Sequence, residues 1–95
     1  MQLSIQGHQL QVTEALKNYI GEKFIRLEHL LGGPMDVHLD LESEQPHQKA
    51  IATIQIYGAS LFAEEVQEDL YSAIDGLVDK LDRQIMTYKA NKPGH

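Results

Sequence analysis

Four cationic side chains occur as two pairs with the same spacing, one pair in each half of the chain. Lys23 and Arg26 are three residues apart, and so are Lys80 and Arg83. Because residues three apart lie on one face of a helix, each pair would present an ammonium beside a guanidinium. Both groups bind phosphate oxygens, the guanidinium through two parallel hydrogen bonds. The spacing therefore predicts two phosphate-binding pairs.

Residues around the second pair would help a sugar-phosphate backbone to approach. Ser72 and Gly76 are small and share the outer side of the predicted second helix with the Lys80 pair, which leaves room for a backbone to come close. Lys89 and Lys92 continue the positive region toward the C-terminus. Together these residues predict contact with RNA.

Patterns that support catalysis or metal binding are not found in the sequence. There is no cysteine, and the five histidines do not have metal-ligand spacing. The chain has no phosphate-binding loop and no dinucleotide fingerprint, and no pair of its many carboxylates is marked for acid–base work. We expect a protein that is not an enzyme and that uses no cofactor or metal.

Length and charge set the frame for this interpretation. Ninety-five residues fit one domain, predicted over residues 1–90, with a flexible tail at 91–95. The 8 Lys and Arg against 14 Asp and Glu give a net charge of −6, which is unusual for a nucleic-acid-binding domain. Binding of a nucleic acid therefore depends on whether the few cations cluster. No signal peptide and no apolar run of about 20 residues are present, so we expect a cytoplasmic protein without a membrane contact.

Apolar periodicity predicts the elements that position these cations. A short strand covers residues 2–6. A helix follows from a Thr13 N-cap to Gly32-Gly33-Pro34, with Leu16, Ile20 and Phe24 on its buried face. Alternation predicts strands over 35–42 and 50–57, joined by a hairpin loop over 44–48, and a shorter strand around 60–65. A second helix begins at an Asp69 cap and ends near Tyr88.

The element order is therefore β-α-β-β-β-α, and the fold class is α+β. The simplest four-stranded sheet has its first two strands parallel through a right-handed crossover, followed by two antiparallel hairpins. Strands 1 and 4 then point the same way. We expect two parallel helices packed on one face of the sheet, with the two cation pairs at similar height on that side.

Less specific interpretations of the same residues remain open. Cations near helix C-termini interact favourably with the helix dipole without any ligand, and Arg83 could pair with Asp79 in solvent. The outward residues of the second strand, among them Asp36 and Asp40, make the opposite sheet face acidic. The alternative hypothesis is a protein-interaction module that uses this acidic face and does not bind RNA. A third is a small-molecule-binding α+β domain, which a buried polar pocket would support.

Motifs along the whole chain resemble the ribosome hibernation promoting factors, the short bacterial proteins of the ribosome-associated inhibitor family. The first strand and helix carry Met-Gln-Leu-Ser-Ile-Gln-Gly, then Val12-Thr13-Glu14-Ala15-Leu16 and Lys23-Phe24 with Arg26-Leu27-Glu28. The second helix carries Asp69 with Tyr71, then Ala73-Ile74-Asp75-Gly76-Leu77, Asp79-Lys80-Leu81 and Arg83-Gln84. The family's β-α-β-β-β-α fold agrees with the order deduced from periodicity.

The resemblance implies a non-enzymatic factor that binds the small ribosomal subunit in stationary phase. It would occupy the channel of messenger RNA and transfer RNA, block translation, and favour paired inactive ribosomes together with ribosome modulation factor. Since the sequence ends at His95 without the added dimerisation domain of long members, the resemblance favours the short type, and we expect a monomeric free protein. The implied contacts with ribosomal RNA are Lys23, Arg26, Lys80, Arg83, Lys89 and Lys92.

The chain departs from this family in its charge. Members tend to be richer in lysine and arginine, whereas the strand region from Asp36 to Glu44 is acidic here. We therefore expect weaker and more salt-sensitive binding that depends on the helices.

Overall fold

A computed structural model describes residues 1–91, and it confirms the predicted order of elements. The elements are β1 (Gln2–His8), α1 (Glu14–Leu31), β2 (Asp36–Glu44), β3 (His47–Ile56), β4 (Ala59–Gln67) and α2 (Leu70–Asn91). The strands form one sheet in the order β1-β2-β3-β4. β1 pairs with β2 in parallel, and the other two pairings are antiparallel. The α+β fold is therefore the predicted one.

The strand register assembles one apolar sheet face. Leu3 lies opposite Val37, Val37 opposite Ile54, and Ile54 opposite Leu61. Since side chains alternate between the two faces of a strand, this register puts the apolar set of β2, β3 and β4 on the helix side. The fully buried residues of the helices complete the core, and the described residues bury no polar or charged side chain.

Local capping fixes where both helices begin and where α1 ends. The Thr13 hydroxyl accepts a hydrogen bond from the backbone N–H of Leu16 at 3.2 Å, as an N-cap does. Gly32 ends α1 in the left-handed conformation with a φ of 77°, and its N–H donates to the Glu28 carbonyl. The Asp69 carboxylate accepts from the N–H of Ser72 at 3.0 Å. The predicted caps are all observed. Because the first residue of each helix is fixed, the side of the helix on which each later residue lies is fixed as well.

Several element boundaries differ from the prediction because tertiary contacts extend the elements. β1 runs past the predicted residue 6, since Gly7 pairs with Leu41 and His8 with Glu42. The hairpin loop is shorter than 44–48, since Glu44 pairs with His47 and Ser43 with Gln48. β4 is longer than residues 60–65 because its pairing with β3 continues to Gln67.

The helix α2 continues to Asn91, three residues past the predicted end near Tyr88. The Tyr88 hydroxyl donates to the Tyr57 carbonyl at 2.9 Å, and the Lys89 Nζ donates to the Leu30 carbonyl at 2.6 Å. These bonds tie the last turns of the helix to the body of the domain. Of the predicted tail, Asn91 is helical, and residues 92–95 lie outside the described part.

The two helices run in parallel, as predicted. Tyr19 near the start of α1 contacts Asp75 near the start of α2, whereas Leu30 at the end of α1 contacts Lys89 at the end of α2. Residues late in both helices therefore lie at the same end of the domain. Neither helix, within residues 1–91, is long and apolar enough to cross a membrane.

Candidate nucleic-acid interface

A groove between the two helices holds the first cation pair. Its α1 wall carries Lys23 and Arg26, and its α2 wall carries Asp75, Asp79 and Asp82. The floor is apolar and is formed by Leu27, Leu30 and Val78. The groove is therefore lined with cations on one side and with carboxylates on the other.

Lys23 is held inside this groove by groups at its α1–α2 contact. Its Nζ lies 3.5 Å from the Asp75 carboxylate and 5.1 Å from the centre of the Tyr19 ring. Its side chain is only 26% exposed. The ammonium is thus paired with an internal anion and an aromatic face before any ligand arrives.

Tyr19 connects the same carboxylate to a second aromatic ring. Its hydroxyl donates a hydrogen bond to the Asp75 carboxylate, and its ring packs edge-on against Tyr71 with centroids 4.9 Å apart. The hydrogen bond to Asp75, assisted by burial and by the nearby negative charge, raises the pKa of Tyr19 from 10.0 to about 12. Tyr19 and Asp75 therefore form a fixed pair at one end of the groove.

The raised pKa of Tyr19 predicts a delayed alkaline titration. The phenol stabilises the folded state fully below the unfolded pKa near 10, and this stabilisation is lost as the pH rises toward 12. In an ultraviolet difference titration, the protein should show a tyrosine component that ionises late, near pH 12. Tyr19→Phe should remove this late component, and a late component that persists in the variant would contradict the assignment.

Arg26 and Arg83 are the cations best placed for an external ligand. Both side chains are exposed, and within residues 1–91 neither forms an ion pair or a side-chain hydrogen bond. The pair that Arg83 could have formed with Asp79 is not present among these contacts. Their guanidinium groups are therefore available to phosphate at no cost of breaking an internal bond.

Lys80 points away from the groove, toward β4. Its Nζ donates to the Glu64 carbonyl at 2.7 Å and lies 2.8 Å from the Glu65 carboxylate. The hydrogen bond from Lys80, with a second one from Gln67, lowers the pKa of Glu65. The expectation that Lys80 and Arg83 act as one pair is therefore not matched by their surroundings, because only Arg83 has no internal partner.

Gly76 allows close packing between α2 and β4, which is a structural role and not access for a ligand. A Cβ built at this position would lie 2.6 Å from the Glu65 carboxylate carbon and from one of its oxygens. The absence of a side chain lets α2 pack closely over Glu65 and brings that carboxylate within reach of Lys80. The interpretation of Gly76 as open space for a sugar-phosphate backbone is wrong.

The cations predicted beyond the second pair have different positions. Lys89 lies at the end of the groove, where its ammonium satisfies the Leu30 carbonyl. Lys92 lies outside the described residues. Parallel helices thus bring Lys23, Arg26 and Lys89 to one groove, leave Arg83 on the outer surface of α2, and put Lys80 against the sheet edge.

The carboxylate wall of the groove is the functional feature that sequence reasoning missed. Asp75, Asp79 and Asp82 have the same i, i+4, i+7 spacing as Tyr19, Lys23 and Arg26 on α1. This spacing places each set on one face of its helix, so both stripes could be predicted from the sequence. That they face each other across a groove follows only from the way the helices pack.

The opposite sheet face is acidic, as predicted, but it also carries apolar side chains. Asp40 lies 3.2 Å from a His8 ring nitrogen and 3.5 Å from one of His38. Phe62 is 56% exposed and Val66 is 45% exposed. Within residues 1–91 no group of three or more histidine or acidic side chains is arranged to hold a metal ion.

Comparison with known proteins shows similarity over nearly the whole chain. Residues 3–92 match the model of the family described as Sigma 54 modulation protein / S30EA ribosomal protein. The ribosome hibernation promoting factor of Azotobacter vinelandii is 45% identical over 89 residues, which cover 94% of this chain and 83% of that protein. The Salmonella typhimurium factor of the same name is 37% identical over 95 residues, covering both chains fully.

Two solved structures share the fold of this chain. The crystal structure of the Thermus thermophilus Protein Y N-terminal domain has a TM-score of 0.88 and 28% identity, over 93% of this chain and 99% of that one. A ribosomal subunit interface protein from Coxiella burnetii has a TM-score of 0.85, over 96% of this chain and 100% of that one, and at 22% identity it supports the fold alone. The relatives are ribosome hibernation factors, which are not enzymes, in agreement with the sequence expectation.

Proposed function

Because this chain belongs to the Sigma 54 modulation protein / S30EA ribosomal protein family, we propose that it is a ribosome hibernation factor that binds the small ribosomal subunit. It acts in the cytoplasm as a monomer and contacts ribosomal RNA. It occupies the channel of messenger RNA and transfer RNA in stationary phase and excludes both sterically. With ribosome modulation factor it promotes inactive ribosome dimers.

The observation that carries this proposal is the pair of exposed arginines on parallel helices. Arg26 and Arg83 are free of internal partners within residues 1–91, and both lie on the helix side of the domain. A guanidinium binds two oxygens of one phosphate at once. The helix side therefore supports contact with an RNA backbone through Arg26 and Arg83, joined by Lys23 and Lys89 from the groove.

The charge distribution supports an orientation for the bound protein. Carboxylates of β2, among them Asp36 and Asp40, lie on the sheet face opposite the helices. A polyanion is repelled from that face and steered toward the helices. Since cations that contact phosphates release the counterions of the RNA, binding should weaken as salt concentration rises.

The proposal is tested by sedimentation with purified ribosomes in sucrose gradients. The protein should migrate with the small subunit at low salt, compete with messenger RNA and initiator transfer RNA, and be released as salt increases. Adding ribosome modulation factor should shift ribosomes into the dimer peak, which separates binding from pairing. If the protein stays at the top of the gradient at low salt, the proposal is refuted.

The competing hypothesis, a protein-interaction module, predicts a different dependence on residues. Exposed Phe62 beside the carboxylates of the outer sheet face is the observation in its favour. Under that hypothesis, Phe62→Ser should abolish ribosome association while changes at Arg26 and Arg83 leave it intact. Capture of basic proteins that survives nuclease treatment would point the same way.

A further inference from the structure

One of the groove cations differs from the others in having an internal anion of its own. Lys23 Nζ lies 3.5 Å from the Asp75 carboxylate, whereas Arg26 faces Asp79 and Asp82 across the same groove without an ion pair in the described part of the chain. The two members of the first cation pair are therefore in different states before binding. A ligand meets an available guanidinium at Arg26 and an occupied ammonium at Lys23.

Asp75 is itself fixed in position by aromatic residues. The Tyr19 hydroxyl donates to its carboxylate, and Tyr19 is packed edge-on against Tyr71 one helical turn before Asp75. Tyr19 also offers its ring face to the Lys23 ammonium at 5.1 Å. Lys23 is thus directed along the groove by a carboxylate and a ring that do not depend on a ligand.

A carboxylate and a phosphate present the same chemistry to an ammonium. Each offers anionic oxygens that accept charge-assisted hydrogen bonds. Since Asp75 is 52% exposed and Lys23 is 26% exposed, their ion pair is screened by water and is weak. A phosphate already held by Arg26, three residues away on the same face of α1, could therefore take Lys23 from Asp75.

We propose that Asp75 is an internal surrogate for RNA phosphate: it positions Lys23 in the free protein and is displaced from it when RNA binds. Asp75 is a positioning residue, since it acts on RNA only through Lys23. The inference rests on the proposed function for the identity of the RNA. Its physical content, the exchange of one anion for another at Lys23, concerns any single-stranded RNA that reaches the groove.

The consequence is that Asp75 lowers affinity and makes it less dependent on salt. In the wild type, each binding event breaks the Lys23–Asp75 pair, and salt weakens that pair as it weakens the contact with phosphate. The two effects partly cancel. Without Asp75 the cancellation disappears, and the full salt dependence of one phosphate contact returns.

The test uses Asp75→Asn, which keeps an oxygen for the Tyr19 hydroxyl and removes the charge. Binding to small subunits and to a labelled polyuridylate oligonucleotide is measured over a series of salt concentrations. At low salt we expect about two- to fivefold tighter binding. The slope of log affinity against log salt should steepen by up to about 0.7–0.9, the value for one phosphate.

Two variants of equal net charge serve as controls. Asp79→Asn removes a charge from the same wall without a contact to Lys23, and Asp36→Asn removes one from the opposite sheet face. Both should tighten binding less than Asp75→Asn and leave the slope near that of the wild type. In wild-type protein, RNA should also shift the NMR signal of the Asp75 carboxylate carbon more than that of Asp36.

The outcomes separate this inference from the proposed function. Equal tightening in all three variants would show a general charge effect and overturn the exchange, as would unchanged or weaker binding by Asp75→Asn. Binding to polyuridylate with the expected slopes, but not to small subunits, would refute the proposed function and leave the exchange standing. Loss of both interactions in the wild type would overturn both.

Discussion

Charge reversal of Arg26 and Arg83 together, R26E/R83E, is expected to weaken binding to the small ribosomal subunit by about a hundredfold or more. Each arginine is exposed and without an internal partner among residues 1–91, so each reversal replaces an attraction to phosphate with a repulsion. No buried contact is lost, but the reversed charge at position 26 faces Asp79 and Asp82 across the groove, so the free energy of unfolding should fall by no more than about 1 kcal/mol. Co-sedimentation measures the binding, and circular dichroism during urea unfolding checks the fold.

A neutralising version of the same change allows a control of matched net charge. R26Q/R83Q lowers the net charge by two, as does the single change K17E. Lys17 pairs with Glu14 at 3.5 Å and is away from the groove. R26Q/R83Q should reduce the salt slope by roughly 1.4–1.8, corresponding to two phosphates, and K17E should leave it nearly unchanged. Equal losses from the two variants would refute the assignment of Arg26 and Arg83.

The choice of Arg26 instead of Lys80 for this experiment follows from the structure. Reversal at Lys80 would put a carboxylate beside Glu65, whose pKa is lowered by the lysine it would lose, and would free the Glu64 carbonyl. A loss of binding in such a variant could result from a rearranged β4 edge. Lys80 remains a predicted RNA contact, but one whose removal also has a structural effect.

Gly7→Ala is expected to lower the free energy of unfolding by about 1–3 kcal/mol, the usual cost of overpacking. A Cβ at Gly7 would lie 2.8 Å from the Leu10 carbonyl oxygen and 3.0 Å from side-chain carbons of Leu10 and Val12. The carbonyl belongs to the backbone of the connection between β1 and α1, and it cannot rotate away as a side-chain end can. The connection must shift, and the start of α1 would shift with it.

Gly21→Ala provides the opposite result with the same chemical change. Gly21 lies within α1, and a Cβ there would meet no atom within 4 Å. Alanine is favoured over glycine inside a helix by about 0.5–1 kcal/mol, so this variant should be stabilised. Urea unfolding of both variants tests the pair, and a Gly7→Ala protein as stable as the wild type would show that the connection is not tightly packed.

The fold was predictable because its signals are local and mutually consistent. Thr13 and Asp69 each accept a hydrogen bond from the backbone N–H of the residue three positions later in the chain. Gly32 takes the left-handed conformation that ends α1. These are properties of a few adjacent residues. Alternation in β2 and β3 then fixed which sheet face is buried, and chain connectivity fixed the parallel helices.

The site was predictable only in part because the direction of a long cationic side chain depends on remote residues. Spacing correctly put Lys80 on the outer side of α2, but Glu65, fifteen residues earlier in the chain, draws it toward β4. The prediction of open space beside Gly76 was wrong for the same reason, since Glu65 again lies next to it. The ends of β4 and α2 were misjudged because β3 pairing and the Lys89 contact with Leu30 extend them.

The sequence by itself determined the element order, the caps, the buried face of β2 and β3, and the strand directions that make the helices parallel and bring late α1 and late α2 together. Those features depend on periodicity and on hydrogen bonds between residues close in the chain. Only the tertiary structure decided which cations are available: Arg26 and Arg83 have no internal partner within residues 1–91, Lys23 is held by Asp75, and Lys80 is held by Glu65. The physical reason is that an ion pair forms between groups a few ångströms apart in space, whatever their separation in sequence.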